Sequence, residues 1–388
     1  MSKKINYSRQ LIDRQDLKAV NSVLRSDLLT QGKITPRFEK KICNYVNSKY
    51  AFATNSATSA LHISCKALNL GKGDILWTSP NSFVASANCA YYCGATVDFV
   101  DIDPLTYNIS ITKLENKLKI AKKQNKLPKI LIPVHFAGQS CDMRTIYKLG
   151  KKYNFKIIED ASHALGGTYL GNKIGCCKYS DITVFSFHPV KMITTGEGGM
   201  ATTNKKNLAN SLKIYRSHGI TNDKKFMSLS KHEKKEIWNY QQIDLGFNYR
   251  MTDFQAALGC SQLKKLNKFL KMRRDIAKFY DKKIDQNKIN IPYQDYKSKS
   301  SYHLYVIRLK SKYYQRQVYK DLHKKGIIVN LHYIPIYRQP YYEKKKFRKN
   351  YCKEMEKYFR DALSLPIYPG LSQKDQLRVI KTLHKVLL

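Results

Sequence analysis

Through the first two thirds of the chain, short apolar runs rich in β-branched residues alternate with stretches whose apolar positions recur at helical spacing. The runs predict strands over Tyr50–Thr54, Asp74–Thr78, Thr96–Val100, Lys129–Val134, Lys156–Asp160 and Asp181–Phe187. Between them the pattern predicts helices over Thr58–Leu68, Phe83–Tyr92, Ile111–Lys123 and Met143–Tyr153. Short buried strands alternating with helices form βαβ units around a mostly parallel sheet. From Thr252 the pattern changes. Phe254, Ala257, Leu258, Leu263 and Leu266 share one stripe of a long helix that reaches Lys283. After it come a strand-like Tyr302–Leu309, a helix over Tyr314–Lys325, a strand over Ile327–Leu331 and a terminal helix from Ser372. The expectation is an α/β chain. Residues 1–251 form an N-terminal arm and a large α/β unit; residues 252–388 form a linking helix and a smaller α+β unit.

Composition narrows the class of protein. A chain of 388 residues with 43% hydrophobic content can build such a core. No apolar run reaches the roughly 18 residues a membrane helix needs. The start, Met1-Ser-Lys-Lys-Ile-Asn, has no apolar segment behind it, so no signal peptide is expected and the cytoplasm is favoured. Nine scattered cysteines include no CxxC pair, which argues against a metal site and for a reduced compartment. A net charge of +41 raises nucleic acid as a partner. The lysines are dispersed, as in Lys122-Lys123 and Lys151-Lys152, and no nucleic-acid-binding motif accompanies them, so neither nucleic acid nor membrane is expected. A positive surface does attract anionic substrates.

The chemistry concentrates where strands end, because ligands of open α/β sheets bind outside the carboxyl ends of the strands. One apolar run ends in Ile157-Ile158-Glu159-Asp160 and is followed by Ala-Ser-His163. Another ends in Ser186-Phe187-His188, with Lys191 following in a Pro- and Gly-bounded segment that closes at Gly199. A lysine amine can condense with an aldehyde cofactor while an aspartate holds that cofactor's ring nitrogen protonated. The pair points to pyridoxal 5′-phosphate (PLP). Taken singly, each is an ordinary loop charge. Asn55-Ser-Ala-Thr-Ser59 places small and hydroxyl residues at a helix start, suited to a phosphate or to a plain helix cap. Phe83 is placed to stack on a planar ring or to join the core. His163 is a candidate hydrogen-bonding partner of the cofactor or a satisfied core histidine, and Ser186 can offer its hydroxyl to the phosphate.

These blocks, taken in order, resemble the DegT/DnrJ/EryC1/StrS family of PLP-dependent sugar aminotransferases. The likeness is carried by Leu29-Thr-Gln-Gly32, Asn55-Ser-Ala-Thr-Ser-Ala-Leu61, Pro133-Val-His-Phe-Ala-Gly138, Glu159-Asp-Ala-Ser-His163, the Ser186–Gly199 block, Arg216-Ser-His-Gly219, Gly246-Phe-Asn-Tyr-Arg250 and His332-Tyr-Ile-Pro335. It implies the PLP-dependent transferase fold type I, with a mostly parallel central sheet flanked by helices and a smaller C-terminal α+β domain. It implies Lys191 and Asp160 as catalytic residues. Ala57, Thr58, Phe83, Asp160, His163, Ser186 and Lys191 become cofactor contacts, joined by Asn248 from the other subunit of a homodimer with shared active sites. Thr30, His188, His332 and Tyr333 fall on the substrate side. Ordinary alternatives stand beside several: Asn248 as a turn residue, His332 as a strand-end histidine, His188 as a loop-orienting residue.

Lys191 also decides a fork. Relatives with histidine there are dehydratases; a lysine implies transamination. The implied reaction moves an amino group from L-glutamate to a UDP-linked 4-keto-6-deoxy-N-acetylhexosamine on the route to pseudaminic acid. A dTDP-, GDP- or 3-keto sugar is the alternative within the family. A basic nucleic-acid-binding or regulatory protein on the same scaffold is the alternative from another class.

Overall fold

The computed structural model describes residues 4–228, 233, 236–310 and 312–388; Met1 to Lys3, within the segment read for a signal, lie outside them. Seven strands form the central sheet: β1 (Tyr50–Thr54), β2 (Ile75–Thr78), β3 (Thr96–Phe99), β4 (Ile130–Ile132), β5 (Lys156–Asp160), β6 (Ile182–Ser186) and β7 (Gly199–Thr203), in the spatial order β1-β7-β6-β5-β4-β2-β3. The pairs β3/β2, β2/β4, β4/β5 and β5/β6 are parallel. Ile130, Leu131, Ile132, Ile158, Ile182, Val184 and Phe185 are all fully buried. A parallel sheet covered by helices on both faces demands such unbroken apolar strands.

Helices α1 (Arg14–Leu24), α2 (Ile34–Val46), α3 (Ala57–Ala67), α4 (Ala85–Tyr92), α5 (Ile111–Lys123), α6 (Met143–Tyr153) and α7 (Lys206–Tyr215) surround it, and α8 (Asp253–Lys283) runs on to the C-terminal part. Local chemistry sets several of their starts. Ser56 caps α3 by accepting the Ser59 amide, Asp142 caps α6 by accepting the Thr145 amide, and Thr252 with Gln255 forms a capping box at α8.

Strand β7 departs from the parallel pattern. It pairs antiparallel with both β6 and β1. No helix separates β6 from β7, and a parallel return would need a crossover. The return segment is the Lys191 loop itself. Its two ends are register partners, Ser186 opposite Gly199. Inside it the Phe187 amide donates to Gly198 O at 2.9 Å, and Thr195 N–H and Thr194 Oγ1 both donate to Phe187 O at 3.0 Å.

The C-terminal part holds a three-stranded antiparallel sheet with Tyr305–Leu309 in the middle, between Ile289–Asn290 and Ala362–Leu365. Helices Gln315–Lys324, Lys353–Asp361 and Gln373–Val386 lie beside it. Two expectations need correction. Ile327–Leu331 is not a strand: Ile327 and Asn330 make only isolated bridges, to Ile5 and Ser364. The strand that pairs with Tyr305–Leu309 there is instead Ala362–Leu365, all four residues of which are buried. The strand expected from Tyr302 starts at Tyr305, because residues 300–304 bend back against the large sheet: Ser301 N–H donates to Gly138 O and its hydroxyl to His163 O. Among the described residues no helix is long and apolar enough to cross a membrane, and no cluster of His, Cys, Asp or Glu is arranged to hold a metal.

Candidate active site

Asp160 ends β5, its backbone paired across β6 with Val184, and is 5% exposed. Both carboxylate oxygens already hold one donor. The Ser162 amide donates to Oδ1 at 3.1 Å, and the Ser86 hydroxyl, from the first turn of α4, donates to Oδ2 at 2.6 Å. A carboxylate has about four lone-pair sites, so room for a further donor remains.

Lys191 follows β6 in a tight turn closed by its own N–H on His188 O at 2.9 Å. Burial pushes its amine down to about 8, while the Asp160 charge pulls the other way. At pH 7 about a tenth is therefore the free amine that reacts with aldehydes, far more than for an ordinary lysine. The same positive charge reaches three buried histidines. His163 and His303 are held well below the imidazole range and His332 falls to about 3, in each case chiefly by burial with Lys191 contributing.

The start of α3 supplies an anion cradle. Ser56 satisfies the Ser59 amide and its carbonyl accepts the Ala60 amide, but the Ala57 and Thr58 amides have no partner among the described residues. Gly199 makes that start approachable. A Cβ on it would lie 2.4 Å from Ser56 C and O and 2.5 Å from Ala57 N. Ser186 is Gly199's register partner and is partly exposed, so a hydroxyl, two free amides and a helix N-terminus converge.

His163 lies behind this group. The Ala137 amide donates to its Nδ1 at 3.3 Å, which leaves the proton on Nε2, 3.1 Å from the Tyr333 hydroxyl. The ring's only donor thus points at Tyr333, whose own proton affinity is raised by burial and by the Asp160 charge. His332 is buried, with Nδ1 2.8 Å from Ser364 Oγ and Nε2 3.4 Å from Asn330 Nδ2. Phe83 stands just before α4 with 60% of its surface exposed, so it is an open ring face and not a core residue.

Three expected residues stand outside this group within one chain. His188 is exposed, 4.0 Å from the Glu197 carboxylate. Thr30 is exposed in the segment whose Leu29 carbonyl accepts the Asp253 amide at the start of α8. Asn248 is exposed and bridges Ser217, in a segment tied to the end of β1 by the Asn55 amide on Tyr249 O.

Sequence reasoning missed three residues. Ser86 follows Ser82 at i+4, a spacing that puts two hydroxyls on one face. His303 closes the polar run Ser300-Ser-Tyr-His; it is 2% exposed, its ring centroid lies 4.3 Å from that of His163, and its Nδ1 has no partner among the described residues. Arg273, on α8, is wholly buried and among the described residues pairs with no carboxylate. Its guanidinium donates to the carbonyls of Tyr302, His303 and Ile367 at 3.3, 3.1 and 2.9 Å, and burial lowers it to about 9. None of the three carried a motif signal.

A lysine amine near 8, a buried aspartate with an open lone pair, two free helix amides and a glycine that leaves space for a ligand fit PLP group by group. Comparison with known proteins agrees. The sequence pattern of the DegT/DnrJ/EryC1/StrS aminotransferase family matches residues 10–384. The chain is 41% identical over 387 residues, 99% of its own length and 97% of the relative's, to a UDP-4-amino-4,6-dideoxy-N-acetyl-beta-L-altrosamine transaminase of Campylobacter jejuni. Among solved structures it is similar to Helicobacter pylori PseC, an aminotransferase involved in the biosynthesis of pseudoaminic acid, at TM-score 0.90 and 34% identity over 99% of both chains. It is also similar to the PLP form of the putative sugar aminotransferase Spr1654 from Streptococcus pneumoniae, at TM-score 0.87 and 27% identity over 99% of this chain and 100% of that one.

Proposed function

Because the chain belongs to the DegT/DnrJ/EryC1/StrS aminotransferase family, we propose that it is a PLP-dependent transaminase for a UDP-linked 4-keto-6-deoxy-N-acetylhexosamine. L-Glutamate is the amino donor, and the product is UDP-4-amino-4,6-dideoxy-N-acetyl-beta-L-altrosamine for pseudaminic acid synthesis. The observation that carries the reading is the Lys191–Asp160 pair beside the free amides of Ala57 and Thr58, in a chain 41% identical to an enzyme of that name.

PLP, when bound, supplies a protonated pyridine ring that withdraws electrons from the reacting carbon. The chain's own residues do the rest. The Ala57 and Thr58 amides and the Ser186 hydroxyl hold the phosphate. Asp160 faces the ring nitrogen and keeps its proton in place. Phe83 covers one ring face. His163 donates its Nε2–H to the Tyr333 hydroxyl and so orients Tyr333. Lys191 Nζ removes the proton from the α-carbon of glutamate and returns a proton on the same face, as general base and then acid. One residue working on one face sets the configuration of the new amine. Thr30, His188, His332 and Tyr333 form the sugar side.

Asn248 serves the site of a second copy, in a homodimer with shared active sites. The support is the stretch that precedes it in the chain, where Ile237, Trp238 and Leu245 are 95%, 71% and 68% exposed. The same reading divides the chain at Thr252, with residues 1–251 carrying the cofactor and 252–388 the smaller unit. It places the protein in the cytoplasm, in keeping with nine unpaired cysteines.

The test is product analysis after incubation with the UDP-4-keto sugar, PLP and L-glutamate. An aminated UDP sugar with one 2-oxoglutarate per turnover is expected, and Lys191→Ala abolishes it. Faster turnover of a dTDP- or GDP-linked or a 3-keto sugar would overturn the substrate assignment. Full activity of Lys191→Ala would overturn the mechanism.

A further inference from the structure

The Asp160 carboxylate is held by a chain of side chains that no part of the reaction scheme uses. Ser82 Oγ and Ser86 Oγ are 2.7 Å apart, and Ser86 Oγ is 2.6 Å from Asp160 Oδ2. All three residues are buried, at 4%, 1% and 5% exposure. An ionised carboxylate only accepts, so the Ser86 proton lies toward Asp160, and Ser86 oxygen must then accept from Ser82. The direction of the chain is thereby fixed: Ser82 to Ser86 to Asp160. Hydrogen bonds in series polarise one another, more so away from water. Ser82 and Ser86 sit at i and i+4 across the start of α4, and Phe83 lies between them in sequence. The turn that presents the exposed aromatic ring is thus the turn that carries both hydroxyls.

We propose that Ser86, with Ser82 behind it, is a positioning residue that holds the Asp160 carboxylate aimed, so that its remaining lone pairs face the cofactor's ring nitrogen. The proposal rests on the reading that Asp160 serves that nitrogen. Oδ1 is turned by the Ser162 amide at 3.1 Å and Oδ2 by Ser86, so the carboxylate plane is set by one donor at each oxygen. The rest of the Asp160 surroundings includes Lys191 and Tyr333, both of which sense its charge. Neither supplies a hydrogen bond to it among the described residues. Ser86 is therefore its only side-chain donor there.

The test uses PLP binding by the stripped protein at pH 7, followed by visible absorbance, with no turnover involved. Ser86→Ala removes one of the two donors that set the carboxylate plane and weakens PLP binding by about tenfold. Ser86→Thr keeps the hydroxyl and restores the affinity. Ser82→Ala removes only the upstream donor and weakens binding by less, which keeps the proposal testable if Ser86→Ala does not fold. Parental PLP affinity in a folded Ser86→Ala or Ser82→Ala protein overturns the proposal. Asp160→Ala separates the two readings: if it binds PLP as tightly as the parent, the cofactor reading of Asp160 falls. If it loses PLP while the serine variants keep the parental affinity, only the relay falls.

Discussion

At the scale of single residues the site is governed by one half-buried cation among buried groups. Lys191 at about 8 is pulled down by burial and held up by Asp160. Its free-amine fraction rises about tenfold per pH unit up to that value and then levels. Covalent capture of PLP by the stripped protein, trapped with borohydride and located by peptide mass, is expected to follow the same curve and to place the adduct on Lys191. Asp160→Asn removes the charge that raises Lys191, so its limb moves below pH 8. A limb that stays in place or moves up would contradict the electrostatic coupling. Burial, with the lysine's charge added, keeps three neighbouring histidines uncharged. A proton on His163, His303 or His332 would face both desolvation and Nζ.

At the scale of elements the site depends on how closely β7 approaches α3. Gly199→Ala places a methyl within 2.5 Å of the Ser56 and Ala57 backbone, and neither side can yield as a flexible side chain would. We expect about 2 kcal/mol of destabilisation, read by thermal melting, and a loss of PLP affinity of at least about tenfold as the free amides are displaced. Melting and affinity both at parental values would show that β7 can retreat without cost. Arg273 makes a second element-scale case. Arg273→Met would leave the Tyr302, His303 and Ile367 carbonyls without their donor, at an expected cost of about 3 kcal/mol. A denaturant midpoint unchanged from the parent would show that those carbonyls find other donors. Much of this level was legible in the chain. The strands around Lys156–Asp160 and Ile182–Ser186 announce themselves because both faces are buried, and Lys191 and Asp160 follow them at once. Ser86, His303 and Arg273 were not legible. Each acts across a long sequence separation: Ser86 reaches a residue 74 positions away and Arg273 one 94 away, and such contacts leave no local periodicity. Ile327–Leu331 misled for a related reason. An apolar run is compatible with burial of any kind, and here it is buried beside Ile5 and Ser364 without a ladder.

At the scale of the whole molecule the proposed homodimer gives the exposed Trp238, Leu245 and Asn248 a surface to meet. A two-fold dimer uses the same patch twice, so each site would draw on both copies. Lys191→Ala and Asn248→Ala proteins, each inactive alone, are then expected to regain activity when mixed and exchanged. Random pairing makes half of the dimers mixed, each with one intact site, so recovery approaches about a quarter of the parental rate. No recovery after demonstrated exchange would place Asn248 in its own chain's site. The net charge of +41 acts at this scale too. It predicts that KM for the anionic sugar nucleotide rises with salt while kcat changes little, which steady-state assays from 50 to 300 mM salt would check.

The zipped ends of the Lys191 loop have a genetic consequence. Ser186 and Gly199 face each other in register, and a one-residue slip of β7 would turn its side chains to opposite faces and carry Gly199 away from Ser56. Positions inside the loop other than Lys191 can change more readily, since backbone atoms tie Phe187 to Gly198 and Thr195. The loop's length cannot. Insertions and deletions between Phe187 and Gly198 should be purged from a selected library even where substitutions survive, so the segment evolves as a spacer of constant count.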